Sequence, residues 1–130
     1  MGTWGHKSFE NDAACDWLYD LEEVSDLSLI ESTFGSAEVA YLEAPEGCEI
    51  LAAAEIVLAL QGQARESLSE EALKWVTKHK NLVPSSLNVK SVAAVERVLA
   101  ENSELRELWE ESEEDFEIWR KDVLSLLAAL

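Results

Sequence analysis

Glu55 is the residue whose type and setting most invite chemistry in this sequence. It is the one polar side chain in Ile50–Leu60, ILAAAEIVLAL, a stretch in which ten of eleven residues are apolar. An uncompensated carboxylate in such a run is costly to bury, so it must be paired, protonated or put to work. One reading makes Glu55 a ligand or general acid in a pocket lined by tryptophans. The other makes it a buried polar anchor tying its helix to a second segment, with Lys7, Arg97, Arg120 or indole N–H groups as candidate partners. Charged residues are seldom fully buried without a partner, and the anchor is the expectation.

The remaining chemistry-bearing residues form no recognised constellation. His6 and His79 are the two histidines, and no CxxC, HExxH or HxxxH accompanies them, so neither a dedicated metal site nor a cofactor is expected. GxSxG, GxxxxGK[ST] and GxGxxG are likewise missing, and no catalytic residue can be named from spacing. Cys15 and Cys48 form no motif, and the N-terminal residues MGTWGHKSFEND contain no apolar secretory stretch. Two free thiols in a reducing cytoplasm are therefore expected, with Cys48 buried and inert.

Acidic side chains are concentrated in one strip. Glu107, Glu110, Glu111, Glu113, Glu114, Asp115 and Glu117 place seven acids within eleven residues that contain no base. Such a run is ordinarily a solvated helix face, and its functional reading is a docking strip for a basic protein partner. The net charge of −17 points the same way, and it is uneven: residues 1–66 carry 14 acids and 2 bases, residues 67–130 carry 13 and 8. A chain of this charge is repelled by nucleic acid phosphates and by anionic membranes, so neither is an expected partner.

The elements that must position these residues read as helices. Ile50–Leu60 is apolar all round, so it must be enclosed, and at about 16 Å it is too short to span a membrane. Pro45 suits its first turn and Gly62 its stop, giving a central helix at about 45–61. Asn11 reads as the cap of a helix at Asp12–Val24, with Ala14, Trp17, Leu18 and Leu21 on its apolar stripe. Leu27, Ile30, Phe34, Ala37 and Tyr41 predict a second helix running to about Leu42, with Gly35 inside it. A fourth helix capped by Ser67 or Ser69, a loop over 81–88 containing Pro84, and a fifth helix at about Val89–Glu101 follow. In the last segment Trp109, Phe116, Val123 and Leu130 interleave with Leu105, Ser112, Trp119 and Leu126 at heptad spacing. That stripe predicts a packing seam on one helix of about 39 Å, or on two helices broken near Ser112. The fold class expected is all-α: one domain over residues 1–130, five or six helices around the central one.

The opening MGTWGHKSFENDAACDWLYDLEE resembles that of a bacterial family known as domain of unknown function 4259. YLEAPEGCEILAAAEIVLAL, LSEEALKWV, and NSELRELWEES followed by IWRKDVLSLLAAL extend the resemblance over nearly the whole chain. The resemblance implies a small stand-alone protein and supplies no activity and no catalytic residues. The expectation for function is therefore a non-enzymatic interaction protein, in concrete form an acidic immunity-type inhibitor of a basic partner. A small enzyme or ligand-binding protein built on Glu55 and the tryptophans is the alternative, and a structural subunit of a homo-oligomer is a third reading. The oligomeric state stays open.

Overall fold

A computed structural model describes residues 3–82 and 84–130. Among these the chain forms seven α-helices: α1 Asp12–Glu22, α2 Ser28–Gly35, α3 Ala44–Leu60, α4 Glu70–Lys78, α5 Asn88–Leu99, α6 Glu104–Trp109 and α7 Glu113–Ala129. A 3-10 turn, Pro84–Leu87, precedes α5. Five or six helices were expected. The seventh comes from the break at Ser112, whose hydroxyl caps α7 by accepting from Asp115 N.

α3 is the axis of the fold. Every residue from Ile50 to Ala59 is buried, and α3 contacts each of the other six helices and the 3-10 turn. Each buried Ile, Leu or Val contributes roughly 1.5–3 kcal/mol, so enclosing this one helix supplies much of the driving force for folding. Its amino terminus takes Pro45 in the first turn and is capped from a distance, Glu104 Oε1 accepting from Ala44 N at 2.8 Å. Gly47 lets α6 lie close: a side-chain carbon there would meet Leu105 Cβ at 3.3 Å. The carboxyl end closes in a Schellman turn, with Gly62 at φ +83°, Gly62 N donating to Ala59 O and Gln63 N to Leu58 O. This turn reverses the chain and brings residues 65–67 back along α3.

Other boundaries follow local chemistry. Asn11 caps α1 as expected, accepting from Ala14 N at 2.8 Å, and Ser69 rather than Ser67 caps α4. The second helix is shorter than its periodicity predicts. It stops at Gly35, and Ala37, although buried, belongs to the turn that follows. Gly35 thus ends a helix instead of sitting within one, and open space surrounds it. Residues 36–43 then run to a single parallel bridge between Leu42 and Ser103, while the amino-terminal arm contributes one antiparallel bridge, Thr3 to Asn11. The heptad stripe is the expected seam. Leu105, Trp119, Val123 and Leu126 are buried, Trp109, Phe116 and Leu130 pack partly against the core, and Ser112 at the break is exposed. No helix among the described residues is long and apolar enough to cross a membrane.

Candidate functional site

Glu55 is fully buried in the middle of α3. Its Oε2 accepts three hydrogen bonds: from Ser8 Oγ at 2.7 Å, from Ser67 Oγ, and from Arg65 Nη1 at 3.1 Å. The second nitrogen of the Arg65 guanidinium donates to Asp122 Oδ1 at 2.6 Å and to the Asp122 carbonyl at 3.3 Å. One carboxylate therefore ties together the amino-terminal arm, α3, the loop after Gly62 and, through Arg65, α7. Desolvation pushes the Glu55 carboxyl above the usual carboxylate range, and Ser67, Arg65 and Ser8 pull it back by favouring the charged form.

The candidate partners Lys7, Arg97, Arg120 and the indoles are not the ones the fold supplies. Arg97 donates instead to the carbonyls of Val39, Ala40, Glu101 and Asn102. Two of the buried indoles serve elsewhere, Trp17 Nε1 on Thr33 Oγ1 at 2.8 Å and Trp75 Nε1 on the Val24 carbonyl at 3.1 Å. Arg65 lies ten residues beyond Glu55 and reaches it only because the Schellman turn folds the chain back. Ser8 is aimed by its own turn, where Asn11 Nδ2 donates to the Ser8 carbonyl at 3.2 Å.

A small cavity of about 10 Å³, lined by Ser8 with His6, Cys48, Leu51, Trp109 and Trp119, adjoins this cluster. It has space for about one water molecule. A cleft of about 320 Å³ lies between α2 and α5, over Phe34, Gly35, Ala37 and Ala94, with Lys90 and Arg97 among its walls. Two of the polar groups at that cleft are engaged, Lys90 with Glu31 at 3.5 Å and Arg97 with four backbone carbonyls, and Glu38 also lines it.

The histidines and cysteines fall into separate settings. His6 Nε2 meets Asp115 Oδ1 at 3.1 Å, and its ring sits 5.0 Å from Trp109, which stacks in turn on Trp119. His79 stacks on Trp75 at 4.3 Å, with Nδ1 against the Trp75 carbonyl at 2.7 Å. Both cysteines are free thiols; Cys15 is half-buried and Cys48 buried. Burial pushes the Cys48 thiol up to about 12, a value at which it carries no thiolate near neutral pH.

The acidic strip lies on the elbow between α6 and α7. Glu107, Glu110, Glu111, Glu113, Glu114 and Glu117 are exposed and Asp115 is half-buried. The strip is not one continuous helix face, because residues 110–112 turn. Some of its charge is met from outside the run: Tyr41 donates to Glu107 at 2.8 Å, Arg106 lies 3.5 Å from Glu110, and the His6 contact, followed by Ser112, draws the Asp115 carboxyl below its usual range. Leu108 and Ile118 protrude among these acids, 50% and 47% exposed.

Fold and site together define a class: a small helical domain locked by one buried carboxylate, with a separate acidic elbow on its surface. The chain belongs to the family described as Domain of unknown function (DUF4259), which it matches over residues 2–122. Comparisons with curated proteins and with solved structures gave no match.

Proposed function

We propose that the protein is a non-enzymatic interaction protein whose α6–α7 elbow docks a basic protein, in the manner of an immunity-type inhibitor. The observation that carries this reading is the composition of the elbow: six outward-facing glutamates around exposed Leu108 and Ile118. Charge at the rim with apolar side chains between is the usual anatomy of a protein interface. The acids steer the encounter, and the apolar residues slow separation once contact is made. Glu55 Oε2 is held by three internal donors, as a structural anchor requires, while its Oε1 is buried without a hydrogen-bond partner. The free thiols fit a reducing, cytoplasmic setting.

Affinity capture from the native organism identifies the partner, and stopped-flow association then tests the elbow. Changing Glu110, Glu111, Glu113 and Glu114 to Gln should slow association and flatten its salt dependence, because steering is screened over about 8 Å at physiological ionic strength. A variant that associates at the parent's rate at both low and high salt refutes this role for the elbow.

A further inference from the structure

The amino-terminal arm closes on itself as well as on the rest of the molecule. Trp4 N donates to Glu10 O at 3.0 Å, Glu10 N to Lys7 O at 3.0 Å, and Lys7 N to Glu10 Oε1 at 3.1 Å. Gly5 permits this closure, because a side chain there would collide with the Glu10 carboxylate. Two of the arm's polar side chains then reach other elements. Ser8 points inward to Glu55, and His6 crosses to Asp115 on α7, 109 residues along the chain. The two contacts differ in depth. The Ser8 bond is buried, whereas the side chains of His6 and Asp115 are 30% and 48% exposed. Between the arm and Leu105, Trp109 and Trp119 the packing is incomplete, and the small cavity remains there.

We propose that the arm is an autoinhibitory strap on the elbow: His6 occupies the seat, formed by Trp109 and Asp115, that a basic side chain of the partner takes when it docks. This inference rests on the reading of the elbow as a docking surface and adds how that surface is regulated. The run from Glu107 to Glu117 contains no base, and among the described residues two basic side chains meet it. Arg106 lies on the same helix and pairs with Glu110 four residues on, whereas His6 is brought from the other end of the chain. His6 makes both contacts that a partner's arginine or lysine would make there. Its ring lies 5.0 Å from Trp109, and its Nε2 lies 3.1 Å from Asp115 Oδ1. Tryptophan is the best aromatic receptor for a cation, and tryptophan and arginine are enriched at interface hot spots. Trp109 is braced for this by stacking on buried Trp119. A tethered competitor lowers the apparent affinity to the fraction of molecules in which the seat is free. The His6–Asp115 contact is open enough to solvent to be displaced. Ser8 and Phe9 stay anchored in the interior, so lifting His6 opens the seat without unfolding the arm.

The probe is a fluorescently labelled hexa-arginine peptide, read by anisotropy against the full chain at low salt. The parent should bind it, and the variant with Glu110, Glu111, Glu113 and Glu114 changed to Gln should bind it more weakly. His6→Ala should bind about 2- to 5-fold more tightly than the parent, the size expected when one exposed ion-pair competitor is removed. Lys7→Gln removes a charge from the neighbouring position without vacating the seat, and its effect should be smaller. In an Asp115→Asn background His6→Ala should give no gain, because the seat has lost its acid. Circular dichroism confirms that each variant folds, and His6→Ser takes the place of His6→Ala if the latter does not. The proposal is overturned if His6→Ala binds as the parent does, if Lys7→Gln matches it, or if the gain persists in the Asp115→Asn background. The weakened Gln variant then still supports the elbow reading. A peptide that binds the parent and the Gln variant alike, or binds neither, refutes the elbow reading itself, and the strap falls with it.

Discussion

Arg65→Met is the sharpest perturbation of the buried lock, because it removes the charge partner and leaves Glu55 in place. The Glu55 side chain is 0% exposed and that of Arg65 is 17% exposed. Removing one member of a buried ion pair costs about 3–5 kcal/mol, mostly through the charge left behind. Two serine hydroxyls remain on Oε2 and Arg65 keeps some solvent contact, so the lower end, about 3 kcal/mol, applies. For a domain of this size about 1 kcal/mol moves Tm by roughly 3–5 °C, and the variant should melt about 10–15 °C below the parent. Adding Glu55→Met should cost less than the two single changes summed, because the stranded charge is gone.

The pH dependence separates this mechanism from lost packing. Burial raises the folded-state affinity of Glu55 for a proton, and Arg65 opposes that shift. A carboxyl whose folded value lies above its unfolded one, about 4.3, contributes most below the unfolded value. That contribution is lost as pH rises through the folded value. Without Arg65 the folded value rises further, so protonated Glu55 is tolerated over a wider range. The deficit of Arg65→Met relative to the parent should therefore be smallest at and below the unfolded value and grow as pH rises through the parent's folded value. Urea unfolding followed by tryptophan fluorescence at several pH values measures it. A deficit below about 1 kcal/mol that is flat with pH would show that Glu55 does not depend on Arg65.

Two further outcomes follow from the core. Ala53→Asp or Ala54→Asp, each at a position with 0% exposure, should cost several kcal/mol, while Glu110→Gln on the exposed elbow should stay within about 0.5 kcal/mol; thermal melts compare them directly. Under native conditions a thiol reagent should modify half-buried Cys15 and spare Cys48, whose thiol burial has pushed up to about 12, and in denaturant both should react; equal native rates for the two would contradict the burial of Cys48.

The elements that the sequence makes legible are those whose signals are local. Asn11 with Asp12, Pro45, the unbroken apolar run and Gly62 each act within a few residues, and α1 and α3 fall close to where these place them. The heptad stripe survives its own break because the seam depends on which residues face inward, not on one continuous helix. The second helix misled for the opposite reason. Ala37 and Tyr41 keep helical spacing beyond Gly35, but Ala37 is buried from a turn and Tyr41 reaches out to Glu107. Spacing records burial, and burial does not require the helix to continue.

The lock around Glu55 lies between these cases. That a carboxylate inside an apolar run needs a partner is legible from its desolvation cost alone. Which partner is not, because two of the residues at the lock, Ser8 and Asp122, come from segments that meet only in the folded chain. Arg65 and Ser67 are the recoverable partners, since both follow one turn. A Schellman turn at Gly62 folds the chain back on the helix it ends, and the first base after that turn is Arg65. Gly62 reverses the chain direction as well as stopping the helix, which sets Arg65 apart from Lys7, Arg97 and Arg120. The same turn explains why Arg65 and Ser67 both reach one oxygen of Glu55, with α7 joined through Arg65. Once Arg65 is folded back, it lies between α3 and α7, and a guanidinium with two free edges bonds a carboxylate on each.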